Sequence, residues 1–530
     1  MMSLLPKAAV AAKHPSDVIG NWGPVQRTII IVISLSYNIA PFSNVIINLY
    51  APNLNFTCHH VDQSSGQLVS LNNTCQFTAA DGIVTKCSNF TYDHSFYTRT
   101  IIEEYDLVCS RAWYASLAQS FHQVGYAVSG LALGVLSDRK GRVFAARLAI
   151  LIEITAGFCQ TFSPNIWMFW ISRFFIGIGA YGRFLTGFVL ATEWIGPKFR
   201  AQGVILSDFG WHSGNFLLLL FYYNVPHHRI VSTTAYSVEV VIFVLYCFLV
   251  LESPRWLITN SKNEKADKIL TEAAKAKGKL PEAEIKRRIV SLQQHMMQEL
   301  QKEKEIEEQS IVDVWKDPVL LKISLILYFT WFAQTLIGYA SFLNTENLGG
   351  SFFMNMFIFQ AADVTVYFVL VAVFNRLPRK KTLVWSNFVE VLTLLGLLVV
   401  CLWDDTIVFR VIINVFYRFA GGFIFQGFYL YTAETFPTAM RQASMGTCSL
   451  FARVGSVMAP FVKELTIYTH ISVPFTIFFV LSAINLALIL YLPDTGKIQV
   501  ADTIRQKKKE VEEKGGVRSM SIVSALSFGD

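Results

Sequence analysis

Apolar residues in this chain fall into blocks of about 20, the length a helix needs to cross the hydrocarbon layer of a bilayer. Twelve blocks stand out, at about 28–49, 114–136, 143–162, 167–190, 203–223 and 232–251, then 320–343, 354–374, 383–403, 408–431, 445–465 and 473–492. Two long polar stretches interrupt them, 51–112 and 252–317, and a polar tail follows. The pattern predicts an all-α membrane protein with twelve transmembrane helices in two six-helix halves. Its segments are an N-terminus (1–27), a first half (28–251) containing the 51–112 loop, a central loop (252–317), a second half (318–492) and a tail (493–530). Residues 1–20 lack the basic flank, apolar core and small-residue cleavage site of a signal peptide, so the first span is expected to remain in the mature chain.

Composition agrees. Of 530 residues 53% are hydrophobic and 16% charged, and the mean hydropathy is +0.42, against about 25% charged in a soluble protein. The net charge of +7 needs no nucleic acid to explain it, because it is distributed as membrane topology requires. Loop 252–317 holds 13 Lys and Arg, whereas 51–112 holds only Lys86, Arg99 and Arg111. The positive-inside rule places the first loop and, by parity, both termini in the cytosol.

The 51–112 loop is then expected outside. It contains Cys58, Cys75, Cys87 and Cys109, and glycosylation sequons at Asn55, Asn72 and Asn89. Clustered cysteines with sequons suit an oxidising compartment and two disulfides, with the pairing left open.

The two halves echo each other. TEWIGPKFR (192–200) returns as AETFPTAMR (433–441), LSDRKGRV (136–143) as NRLPRKKT (375–382), and LESPRW (251–256) as LPDTGK (492–497). Duplicated six-helix halves are a transporter architecture, with substrate held between them and alternating access by rocking. The repeated charges predict a latch at the cytosolic ends of the helices, formed by Asp138, Arg139, Gly141, Arg142, Arg173, Glu193, Arg200, Glu252, Arg255, Glu434 and Arg441. The plainer reading makes them interfacial anchors.

Loop 252–317 has helical periodicity with one apolar stripe and reads as short amphipathic helices against the cytosolic face. It is too small and charged for a catalytic core. The tail is basic, then Ser-rich, and is expected to lack fixed structure. No Walker loop, metal-ligand cluster or nucleophile elbow occurs, so neither an enzyme nor an ATP-driven pump is expected, and no cofactor. Carboxyls and hydroxyls in the spans are too common to single out an Na+ or H+ coupling site. The expected partners are a small organic ion and membrane lipid; a monomer suffices.

Several stretches together resemble the organic cation/anion/carnitine branch of the major facilitator superfamily: EEYDLVC (103–109), LSDRKGR (136–142), TGFVLATEWIG (186–196), ESPRWLI (252–258), SFLNTENLGGSFF (341–353) and YTAETFPTAMR (431–441). The likeness covers residues 20–497 and implies a plasma-membrane carrier of small organic ions with a glycosylated, disulfide-bonded first outer loop. The chain departs from the branch in having four loop cysteines where six are general and Thr365 where proline is common. RLPRKK (376–381) looks like the carnitine/zwitterion form, and His228 stands in place of a tryptophan.

Ionisable residues at membrane depth mark functional sites. Here they are Glu153, Arg183, Asp208, Glu239, Asp363, Glu390, Arg410, Arg418 and Arg453. Glu153, Glu239 and Glu390 lie in peripheral spans and are expected to be structural or interfacial; Arg410, near a span end, is expected to snorkel. In the resembling carriers the position of Arg453 tracks substrate charge: aspartate in cation carriers, arginine in anion and carnitine carriers. A guanidinium in a low-dielectric cavity attracts a carboxylate and repels an ammonium. The competing role for Arg453 is a permanent pair with Asp363. Arg453 and Asp363 together suit a zwitterion, with Arg418 and an aromatic wall including Trp331, Tyr339 and Tyr367 around it. Arg183 either adds positive charge to the cavity or pairs with Asp208. The expected function is a carrier of zwitterionic (carnitine-like) or anionic substrates. An organic-cation uniporter with Asp363 dominant is the alternative, and a non-transporting sensor or scaffold a more distant one.

Overall fold

The computed structural model describes residues 12–61, 68–78, 84–87, 89–278, 281–305, 315–374, 377–401, 407–436 and 438–493, so the tail beyond 493 lies outside the described residues. Among them, twelve long helices occupy the twelve apolar blocks. α1 covers Pro24–Tyr37 and continues in the short turns Ala40–Asn44 and Ile47–Tyr50. α2 is Trp113–Lys140, α3 Arg142–Thr161, α4 Ile166–Trp194, α5 Arg200–Asn224 and α6 His228–Leu249. α7 is Pro318–Leu343, α8 Phe352–Phe374, α9 Arg379–Cys401, α10 Ile407–Thr435, α11 Thr438–Tyr468 and α12 Ser472–Leu490. In hydrocarbon every backbone N–H and C=O must find a partner within its own segment, which is why these blocks are helices. α1 breaks after Tyr37 because Pro41 has no N–H to return to the preceding turn.

Nine stretches among the described residues are long and apolar enough to cross a membrane by length and composition. α2 falls below that measure through its polar residues. Gln119, Ser120, His122 and Gln123 are all buried, so they face protein and leave the apolar residues to lipid.

The chain divides into two compact units, and the division does not follow the expected halves. One unit holds Met1–Ile46, Gly125–Leu218 and Arg229–Glu307; the other holds Ile47–Val124, Leu219–His228 and Glu308–Asp530. The cut passes through α1, α2 and α5, whose Ile47–Tyr50, Trp113–Val124 and Leu219–Asn224 parts belong to the second unit. We call the end bearing that loop outer and the opposite end inner.

In the first unit, the central-loop helices form as their stripes predict. Leu270 and Ala274 of Asn263–Lys277, with Ile285, Ile289 and Leu292 of Glu282–Glu305, are buried in one cluster with Ile29 and Ile30 of α1. The short helix Pro15–Ile19 joins this cluster through Val18 and Ile19, a contact with no sequence signal of its own.

In the second unit, α7 and α11 meet closely. A Cβ at Gly455 would lie 2.4 Å from the Phe332 carbonyl oxygen, so glycine two positions after Arg453 is what allows the approach. The 51–112 loop adds what the all-α expectation lacks, five short strands: β1 Phe56–Val61, β2 Leu68–Asn72, β3 Gln76–Thr78, β4 Val84–Lys86 and β5 Asn89–Tyr92. β1 pairs antiparallel with both β2 and β5, placing Cys58 opposite Leu71 and Phe90, and β3 pairs with β4. Disulfides join Cys58 to Cys87 and Cys75 to Cys109. A segment this short has little core of its own, and covalent links take over that task. Asn55, Asn72 and Asn89 are all exposed on it.

Candidate transport site and end closures

Asp363 of α8 and Arg418 of α10 form an ion pair, Nη2 to Oδ2 at 2.9 Å, with 25% and 12% of the side chains exposed. The Arg418 guanidinium also sits over the rings of Phe359 (5.3 Å) and Phe342 (5.6 Å), a cation–π arrangement. Arg418 is thus a cationic partner of Asp363. Arg453, on α11, is half-buried. Trp331 is buried, donates from Nε1 to Thr432 Oγ1 at 3.1 Å and packs on Tyr429 with centroids 4.4 Å apart. It borders a recess of about 10 Å³, the size of one water, so here it packs rather than lining a roomy wall. Tyr339 is half-buried; the side chain of Tyr367 lies outside the described atoms.

Arg183 joins neither the expected cavity nor Asp208. Its Nη1 donates to Glu239 Oε1 (2.9 Å) and to the Ser36 carbonyl (2.7 Å), and its Nη2 to Glu153 Oε1 (3.2 Å). All three charged side chains are at most 1% exposed. Two carboxyls from α3 and α6 thus enclose one guanidinium from α4, and an interfacial role for Glu153 and Glu239 is excluded. Glu390 is equally buried, its Oε2 accepting from Gln334 Nε2 (2.9 Å) and Ser482 Oγ (2.6 Å). Arg410 is 8% exposed and is buried rather than snorkelled.

At the inner end of the first unit, Arg142 bridges Asp138 (2.6 Å) and Glu193 (3.1 Å). Glu252 accepts from the backbone amides of Arg142 (3.0 Å) and Val143 (3.1 Å), capping the start of α3, and Trp256 Nε1 donates to the Asp138 carbonyl (2.8 Å). Gly141 makes this corner with φ +115°, and a Cβ there would lie 2.4 Å from Glu252 Oε2. Burial raises the Glu252 carboxyl above its ordinary range, against the lowering effect of its amide donors. In the second unit the corresponding pair is Arg379 with Glu434, at 3.3 Å.

The remaining latch expectations separate. Arg139 and Arg255 are exposed, Arg441 is half-buried with its Nε lacking a partner among the described residues, and the Arg200 side chain is not described. Arg173 is in the wrong place for a latch. It precedes Glu193 on α4 by 20 residues, about 30 Å of helix. It is buried near the outer end, where its Nη1 donates to the Ser43 carbonyl.

Sequence reasoning missed a set of contacts at the outer end of the second unit. Ser120 Oγ of α2 donates to the Val457 carbonyl of α11 at 2.8 Å, and Ser116 Oγ to Glu464. Pro460 sits inside α11 there, and its missing N–H frees the carbonyl of Ser456, next to Val457, from the helix ladder. Lys463 pairs with Glu346 at 3.4 Å, and Glu346 also accepts from the Asn53 amide at 2.6 Å. Pro460 inside a span was the one legible signal. His228, which replaces the expected tryptophan, lies 2.9 Å from Glu104 and 3.1 Å from the Arg99 carbonyl.

Twelve long helices with charged motifs repeated in both halves point to a major-facilitator carrier. The comparisons agree: the family model for "Sugar (and other) transporter" matches residues 32–503. Organic anion transporter 3 of Sus scrofa is 32% identical over 408 residues, covering 76% of this chain and 73% of the relative. Solute carrier family 22 member 3 of Rattus norvegicus is 28% identical, covering 77% and 72%. Among solved structures, the xylose transporter XylE of E. coli in a partially occluded inward-open conformation superposes with TM-score 0.64 at 13% identity. That match covers 89% of this chain and 99% of XylE, and shows the shared fold. The chain belongs to the sugar (and other) transporter family of the major facilitator superfamily and, within it, to the organic anion and cation carriers of solute carrier family 22. It is a multi-pass membrane transporter of small organic ions and not an enzyme.

Proposed function

We propose that this carrier moves small organic anions and carboxylate-bearing zwitterions across the plasma membrane, with both termini in the cytosol and Arg453 selecting for the carboxylate. The observation that carries this reading is the Arg418–Asp363 pair. The negative charge of Asp363 is matched within the second unit, so its pull on a substrate ammonium is reduced. Asp363, Arg418 and Arg453 together carry one net positive charge. At about 4 Å and an effective dielectric of about 20, one unit charge is worth about 4 kcal/mol, enough to decide between ions of opposite sign. The Asp138–Arg142–Glu193–Glu252 corner and the Arg379–Glu434 pair are then the inner closures, and the Ser116 and Ser120 contacts with α11 the outer one.

Uptake of labelled carnitine, a sulfate ester, a dicarboxylate and a tetraalkylammonium by expressing cells tests this. Uptake of the carboxylates or the sulfate ester without the tetraalkylammonium supports it. Uptake of the tetraalkylammonium alone overturns it, as does surface-expressed protein that moves none of them.

A further inference from the structure

A cavity of about 720 Å³ lies at the outer end of the second unit, well within the range of small-ligand sites. Its floor is formed by the ends of the helices, with Ser116, Gln119, Pro460 and Glu464. Its roof is the small β-structure of the 51–112 loop, with Leu54 and Phe56 among its apolar members. Cys75, Cys87 and Cys109 also line it, so two disulfides hold the roof in place and the cavity is built rather than left between loose segments.

The charges in this cavity are unequal. Lys463 is engaged by Glu346 at 3.4 Å, and Lys86 is exposed to water, which screens it. Glu464 is only 9% exposed, and its Oε1 is held by the Ser116 hydroxyl. Its Oε2 has no partner among the described residues. A buried carboxylate without a counter-ion is costly, and a cation arriving there recovers that cost.

We propose that this cavity is a second, outer binding site for an organic ammonium with an apolar body, and that Glu464 is its counter-ion. The apolar groups of the roof, Leu54 and Phe56 among them, cover the body of the ligand. Because Ser116 on α2 holds Oε1 of Glu464 on α11 and leaves Oε2 open, an ammonium is taken up beside the contact that ties the two outer helix ends together. The site is separate from Arg453 and independent of which ion the carrier moves.

Calorimetric titration of the full-length protein in lipid nanodiscs with tetrapropylammonium tests the assignment. Glu464→Gln is expected to weaken binding at least about tenfold by removing the charge. Leu54→Trp, which fills the cavity from the roof, is expected to do the same. Two results overturn the proposal: no binding by the wild-type protein, or wild-type affinity retained by either Glu464→Gln or Leu54→Trp. Monodispersity in size-exclusion chromatography shows that each variant is folded.

Discussion

Arg418 and Asp363 lie 2.9 Å apart on neighbouring helices α10 and α8, each partly reached by water, so Asp363 has a guanidinium partner in Arg418. Removing one partner strands the other. Arg418→Ala and Asp363→Ala should each lower thermal stability by about 1–3 kcal/mol, less than the 3–5 kcal/mol of a fully buried pair because both groups are partly exposed. The double variant should lose less than the sum, and unfolding in detergent through a double-mutant cycle measures the difference.

Two carboxyls on one guanidinium make a different prediction for Arg183. Arg183→Met leaves Glu153 and Glu239 buried with no cation, and several kcal/mol of destabilisation should abolish surface expression. Glu239→Gln removes the surplus negative charge and keeps a hydrogen-bond partner for Nη1, so its surface expression should stay near that of the wild type. Surface biotinylation of the two variants separates these outcomes.

Glu252 gives a pH dependence. Its carboxyl is raised by burial, so the folded chain holds that proton more tightly than the unfolded chain does. The stabilising contribution is therefore fully present below the ordinary carboxylate value of about 4.3 and is lost as pH rises through the raised value. Glu252→Gln should flatten that part of the stability curve, read as melting temperature against pH in detergent.

The disulfides close loops of sequence separation 29 and 34, which in the chain-entropy model is worth about 3–4 kcal/mol each. Non-reducing peptide mapping should find Cys58 linked to Cys87 and Cys75 to Cys109, and no exchanged pair. Cys75→Ser should reduce the amount of protein reaching the surface. Stepwise replacement of Asn55, Asn72 and Asn89 by Gln should remove one glycan at a time, seen as three mobility shifts.

The helices were legible because hydrocarbon demands a long apolar run wherever the chain crosses, and no local signal competes with that demand. Their observed ends stay close to the expected ones, with α11 starting earliest by comparison, at Thr438. The five strands of the outer loop were not legible. They are three to six residues long, and disulfides rather than an apolar face hold them. Side-chain partners were harder again. Arg183 meets Glu153 and Glu239 from positions 30 and 56 residues away, a coincidence of three helix faces that one sequence does not reveal. Arg173 was grouped with the inner charges by kind, when counting 1.5 Å per residue along α4 already carries it to the other end. The cluster of Asp138, Arg142, Glu193 and Glu252 was readable because its charges fall in the short motifs LSDRKGRV, TEWIGPKFR and LESPRW, each echoed in the second half.

The central claim concerns the sign of the charge at position 453, and uptake by surface-expressed Arg453→Asp measures it most directly. The quantity is the ratio of labelled carboxylate uptake to labelled tetraethylammonium uptake, each corrected for protein at the cell surface. Reversing a charge in a low-dielectric site should lower that ratio at least about tenfold, a change of about 1.4 kcal/mol, well inside what one charge supplies. An unchanged ratio, with both proteins equally abundant at the surface, contradicts the account.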